Sequence, residues 1–152
     1  MFPQTKIIEE DLPAQRFLWR EMDRKRAPDE YVMSRMIFGS VSSPCSAQYV
    51  KNRNAQDFSQ EFPDAVHAII TQHYMDDYYD SAETEAEAVT KIQSVIHVHY
   101  RGGYKIRNWS SSSKEVLGEI PAELRCTGDK VLNSEFDLPN ERVLGMSWNP
   151  TN

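Results

Sequence analysis

Tyr74-Met75-Asp76-Asp77 is the place in the sequence where side-chain type and spacing point most directly to chemistry. Two adjacent carboxylates repel one another and gain nothing from apolar packing, so they suit either a cation or bulk water. Adjacent acids in turns are common, and solvation is the ordinary reading of such a pair. Here the pair follows the apolar stretch Val66 to Tyr74 and precedes Tyr78-Tyr79, which places it at the edge of ordered structure.

The remaining chemistry-bearing residues are less organised. His97 and His99 are two apart on an expected helix and so face different ways, while His67 and His73 fall on another element, which argues against a zinc site. Cys45, expected on a helix, and Cys126, expected in a loop, form no Cys-x-x-Cys pair and read as reduced thiols. The serine run at 110 to 113 has no glycine-rich nucleophile elbow, so hydrolase chemistry is not supported. The net charge of −6 speaks mildly against an independent nucleic-acid binder. The charge is segregated, however. Acids crowd the stretch from Asp76 to Glu87, while Arg16, Arg20, Arg24, Lys25, Arg26 and Arg35 cluster early and Arg101, Lys105, Arg107 and Lys114 later.

The elements that would position these residues can be read from the pattern. Arg16 to Arg20 and Tyr31 to Phe38 suggest two strands joined by the charged turn Glu21 to Asp29. Ser42-Ser43-Pro44 has the form of a helix start, and Ala47, Val50, Ala55, Phe58 and Phe62 recur at helical spacing until Pro63. Val66 to Tyr74 and Tyr78-Tyr79 are expected as strands flanking the acidic turn. Thr84-Glu85-Ala86-Glu87 has capping-box form, with Val89, Ile92, Val95 and Ile96 on one face and Arg101-Gly102-Gly103 as the stop. That stripe is expected to pack against the sheet carrying Asp76. A strand over Tyr104 to Trp109, a short helix ending near Glu119 and a strand over Val143 to Trp148 complete the order, with an irregular stretch from Pro121 to Asn140. The expected class is α+β, an antiparallel sheet with helices packed on one face. At 152 residues the chain reads as one domain. With no long apolar run and no apolar leader, no membrane contact and a cytoplasmic address are expected.

The Tyr-Met-Asp-Asp box resembles that of reverse transcriptases, and four other segments are similar to the same family in the same order. These are Met1-Phe2-Pro3-Gln4, Phe38-Gly39-Ser40-Val41-Ser42-Ser43-Pro44, Arg101 to Trp109, and Leu144-Gly145-Met146-Ser147-Trp148. Ala14 to Arg20, Asp80-Ser81 and the Gly-Gly and Trp-Ser segment resemble the BEL/Pao retrotransposon branch. The resemblance covers nearly the whole chain, as a reverse transcriptase palm.

It implies an RNA-directed DNA polymerase that adds deoxynucleotides to a primer by two-magnesium catalysis. Asp76 would be the direct metal ligand and Asp77 a supporting one, both catalytic. Phe2 would exclude the sugar 2′-hydroxyl, and Phe38, Gly39, Tyr74 and Met75 would line the nucleotide site. Gly145, Met146 and Ser147 would form the primer grip, and Lys105 is a candidate cation near the pyrophosphate. The partners implied are an RNA or DNA template-primer, a deoxynucleotide, and the fingers, thumb, RNase H and integrase of a polyprotein. The match of Met1 to Gln4 further implies that the first catalytic aspartate precedes Met1, so residues 1 to 152 are expected as a palm fragment truncated at both ends and inactive in isolation. The competing expectation is a non-enzymatic retrotransposon remnant with at most nucleic-acid or partner binding. A more distant one is another palm-like magnesium enzyme such as a nucleotide cyclase, in which the helix start and the primer-grip segment would have no role.

Overall fold

The computed structural model describes residues 2–126, with the backbone alone of Glu141–Val143 and Met146–Trp148. Two compact units divide the chain, Met1–Arg53 and Asn54–Asn152.

In the first unit β1, Arg16–Trp19, pairs antiparallel with β2, Asp29–Val32, setting Phe17 opposite Tyr31 and Arg16 opposite Val32. β1 lies where the sequence puts it. β2 starts earlier and ends sooner than the expected Tyr31 to Phe38, because its ladder stops at Arg16, where β1 begins. Residues 34–36 pair instead with the N-terminal segment: Ile7 donates its amide to the Ser34 carbonyl at 3.2 Å, and Met36 donates to Thr5 at 2.9 Å. Both faces of the hairpin are exposed, with Phe17 and Tyr31 stacked at 5.6 Å between ring centroids.

Helix α1 spans Ser43–Gln56, so it starts at the expected serine-proline step. Ser43, Ala47, Lys51 and Ala55 are buried at four-residue spacing, and burial lowers the Lys51 ammonium to about 8. Val50, expected on the buried face, is exposed.

The second unit departs most from expectation at Pro63. This residue does not end α1, which stops at Gln56; it opens a new helix, α2, over Pro63–Thr71. The expected strand Val66 to Tyr74 is therefore helical for most of its length, and only His73–Tyr74 remains a strand. Proline is tolerated in a first turn because the amide it lacks has no intrahelical partner there. Ala65, Val66, Ala68 and Ile69 then fall on one side and are all buried, which a strand's alternation could not achieve.

Helix α3, Glu85–Arg101, has the ends its sequence specifies. The Thr84 hydroxyl accepts from the Glu87 amide at 3.2 Å, while the Glu87 carboxylate accepts from the amide of Glu83 rather than of Thr84. At the far end Gly103 adopts φ +76°, Tyr104 donates its amide to the His99 carbonyl and Gly103 donates to Tyr100, a Schellman closure. The α3 stripe faces inward, but its neighbours are helices: α2 and the short α4, Lys114–Gly118. Ile69 of α2 and Val95 and Val98 of α3 are fully buried in one core with Trp109, Ile120 and Leu124, each aliphatic side chain contributing about 1.5–3 kcal/mol.

Residues 104–108 form no strand; Trp109 instead makes an isolated bridge with Arg125. Ser113 caps α4 by accepting from the Val116 amide at 3.2 Å, as the serine run suggests. Near the C-terminus β5, Glu141–Val143, pairs antiparallel with β6, Met146–Trp148, where a single strand over Val143 to Trp148 is expected. The class is α+β with antiparallel pairing, and among the described residues the strands form three two-stranded sheets. No helix among the described residues is long and apolar enough to cross a membrane.

Candidate functional site

A short hairpin presents the acidic pair. β3, His73–Tyr74, and β4, Asp77–Tyr78, pair antiparallel with Tyr74 opposite Asp77, so Met75 and Asp76 make the turn. Met75 carries φ +59°, a left-handed conformation that a non-glycine residue adopts at some cost. The strands begin where α2 stops, and the Tyr79 amide donates to the Gln72 carbonyl at 2.9 Å, fastening the hairpin base to the helix end.

Asp76 and Asp77 are both exposed, Asp76 in the turn and Asp77 on β4. The Tyr79 hydroxyl donates to Asp77 Oδ2 at 2.9 Å. Desolvation, this hydrogen bond and the charges of Asp77 and Asp76 push the Tyr79 phenol up to about 12. Tyr74 is 62% exposed, and Met75 is half-buried.

Asp80, quoted in the sequence only as a family residue, has the most developed surroundings. It accepts from the Tyr78 hydroxyl at 2.7 Å and the Ser81 amide at 2.8 Å, and pairs with Lys91 Nζ at 3.2 Å. Lys91 also donates to the Ser81 carbonyl at 3.1 Å and approaches Glu87 at 3.9 Å. Burial alone would raise the Asp80 carboxyl, but the hydrogen bonds from Tyr78 and Ser81 and the Lys91 ammonium outweigh it and hold the group below its ordinary value. Asp80, Glu87 and Lys91 line a groove between α2 and α3 of about 770 Å³, with Asp64 and His67 on its α2 side.

The other expected site residues fall as follows. Phe2 is buried and meets Phe38 edge-on, centroids 4.8 Å apart, in the first unit. Phe38 is 73% exposed, and Gly39 beside it adopts φ +92°, which favours glycine. Lys105 is exposed in the irregular segment after α3. Met146 and Ser147 lie on β6, described by its backbone, and Gly145, like Met1, lies outside the described residues. Tyr74, Met75, Asp76 and Asp77 are thus together on one hairpin of the second unit, and Phe2, Phe38 and Gly39 belong to the first.

Two hard carboxylates at an exposed tip have the donor chemistry that magnesium takes and fit as part of its ligand set. Among the described residues no three His, Cys, Asp or Glu side chains gather as a metal group, so Asp76 and Asp77 alone do not complete one. The chain finds no match among family models, curated proteins or solved structures.

Proposed function

We propose that the chain is the palm of a BEL/Pao-type RNA-directed DNA polymerase and that Asp76 and Asp77 are its hairpin carboxylates. The observation that carries this reading is the β3–β4 hairpin itself, which holds Tyr74-Met75-Asp76-Asp77 in a tight two-residue turn with both acids exposed. The contact of Phe2 with Phe38 adds support, since the resemblance assigns both to the wall of one nucleotide pocket.

On this reading Asp76 and Asp77 would hold magnesium through their carboxylate oxygens, and Tyr79 steadies Asp77 by donating to Oδ2. Bound magnesium would supply charge neutralisation at the phosphates and favour deprotonation of the primer hydroxyl. The resemblance assigns Phe2 to exclude a ribose 2′-hydroxyl, so selection would be steric. The template-primer and the remaining polyprotein domains are the partners, and the compartment is the cytoplasm.

Primer extension on an RNA template with magnesium tests the reading. Since Asp76 and Asp77 do not by themselves complete a metal group, the 152-residue chain is expected to be inactive alone. Joining it to the fingers and thumb of a reverse transcriptase, with that family's remaining catalytic aspartate supplied, should give extension that Asp76→Asn abolishes. Extension undiminished by Asp76→Asn overturns the metal assignment. No extension from any joined form favours the non-enzymatic alternative.

A further inference from the structure

The groove between α2 and α3 is framed at both ends by carboxylates. Phe62, just before α2, meets His97 in the last turns of α3 at 5.2 Å between ring centroids. Gln72, just after α2, accepts from Tyr79 at the hairpin base, and the next residue, Asp80, pairs with Lys91 in the first half of α3. The two helices therefore run in opposite senses. Glu61 and Asp64 stand at the start of α2, and Asp80 and Glu87 at the other end of the groove with Lys91. Among the described residues that line it, Lys91 is the one ammonium, and the sequence has no lysine or arginine between Arg53 and Lys91.

The walls are small. Ala65 and Ala68 line the groove from α2, and Ala86, Thr90 and Ser94 line it from one face of α3 at four-residue spacing. The Thr90 and Ser94 hydroxyls donate to the Ala86 and Thr90 carbonyls, both at 2.9 Å, so this wall asks no hydrogen bond of an occupant. Side chains this short let a helix approach closely, and a volume of about 770 Å³ leaves room for the side chains of one face.

We infer that the groove docks a basic amphipathic helix of a partner protein, with short apolar side chains along Phe62, Ala65, Ala68 and Ala86 and lysines or arginines on Glu61, Asp64 and Glu87. Charge selects this occupant. A neutral or acidic helix would strip water from the carboxylates and return nothing, whereas a basic one replaces that water with charge-assisted hydrogen bonds. The chain already seats one ammonium of its own here: Lys91 Nζ reaches Asp80 at 3.2 Å, the Ser81 carbonyl at 3.1 Å and Glu87 at 3.9 Å. The inference goes beyond the polymerase reading and does not depend on it, because the groove lining excludes Tyr74-Met75-Asp76-Asp77.

The test is titration of the 152-residue chain with a synthetic peptide of leucine and lysine at helical spacing, followed by calorimetry and by the NMR amides. Shifts are expected along α2 and the first half of α3, with affinity falling as salt rises. Removing two groove charges, Glu61→Gln with Asp64→Asn, should weaken binding about tenfold. The charge-matched change Glu119→Gln with Glu123→Gln, outside the groove, should leave it within about twofold. Ala86→Trp keeps every charge and fills the groove, so it should also weaken the peptide by about tenfold or more. Equal loss in both charge-removed pairs, or undiminished binding to folded Ala86→Trp, overturns the inference by reducing it to attraction for an acidic surface. Wild-type shifts lying elsewhere overturn it whatever the variants do. Spermine displacing the peptide with equal affinity would make the groove a small-cation site, and self-association lost in Ala86→Trp would make the occupant a second copy of this chain; either result overturns the partner helix.

Discussion

Phe2 and Phe38, far apart in sequence, meet edge-on with ring centroids 4.8 Å apart. Their exposures differ sharply, 9% for Phe2 and 73% for Phe38, so one ring is core and the other its partial cover. Phe2→Ala should lower stability by roughly 2–4 kcal/mol in urea unfolding, and Phe38→Ala by about 1 kcal/mol or less. The double variant should show coupling of about 0.5–1.5 kcal/mol. In a polymerase completed with fingers and thumb, Phe2→Val should also raise ribonucleotide incorporation. A stability loss with unchanged sugar selectivity would leave Phe2 as core alone.

Asn54 and Gly102 are fitted to one another. Asn54 Nδ2 donates to the Val98 carbonyl at 3.3 Å, and a Cβ built on Gly102 would lie 2.5 Å from the Asn54 side-chain amide. Gly102 has φ −86°, so alanine is admissible to the backbone, and its cost is purely one of space. Gly102→Ala is expected to destabilise by roughly 1–3 kcal/mol through overpacking and loss of the Asn54 bond. In an Asn54→Ala background the same change should be near neutral. Equal cost in both backgrounds, measured by denaturant unfolding, would count against this fit.

What the sequence reveals here is mostly local chemistry. The Thr84 cap and the Gly102-Gly103 stop are legible because both are set by residues within one helical turn of the boundary. Pro63 misleads because it can end one helix or open the next, and Val66 to Tyr74 is too short for periodicity to separate strand from helix. Small Ala65 and Ala68 let α2 lie close in the core, an advantage visible only once α3 is beside it. The acidic hairpin was readable as a turn between strands. Half of the Lys91 network was also legible, since Glu87 and Lys91 are four apart on a helix, but the Asp80 contact needs the loop to fold back onto α3.

The Asp80–Lys91 pair should impose an acid limit. Asp80's carboxyl is held below its ordinary value, so its contribution is fully present above the unfolded value of about 4 and fades as pH falls through the lower folded value. At pH 7 Asp80→Asn should cost on the order of 1 kcal/mol. The gap between variant and wild type should begin to narrow below about pH 4, where the unfolded carboxyl takes up its proton, and close as pH falls through the lower folded value. Urea unfolding at pH 7, 4 and 3 checks it, and a gap independent of pH would separate Asp80's role from its charge.

Tyr79 sets the opposite limit. Its phenol is raised to about 12 in the fold, so the protonated form is the one the structure favours. That preference is present below the unfolded value of about 10 and is lost as pH rises from there through the folded value. Burial and the Asp80 hydrogen bond raise the Tyr78 phenol further still, so absorbance titration at alkaline pH should show two late phenols, the earlier of which disappears in Tyr79→Phe and moves earlier in Asp77→Asn.

Met75 strains the hairpin tip. Its φ of +59° is a conformation that costs an ordinary side chain about 1–2 kcal/mol and glycine nothing. Met75→Gly relieves that strain but adds freedom to the unfolded chain, worth about 0.4–1 kcal/mol, so a net gain of up to about 1 kcal/mol is expected. Met75→Ala keeps the strain and shortens the side chain, so it should show no such gain. The resemblance places Met75 against the incoming nucleotide, and in a completed polymerase both variants should therefore raise the KM for deoxynucleotide, glycine more than alanine because it also loosens the turn holding Asp76. Parallel unfolding and primer-extension measurements on the two variants separate the roles. A glycine variant no more stable than the alanine one would show that the turn carries no strain, and unchanged nucleotide KM in both would remove Met75 from the binding site.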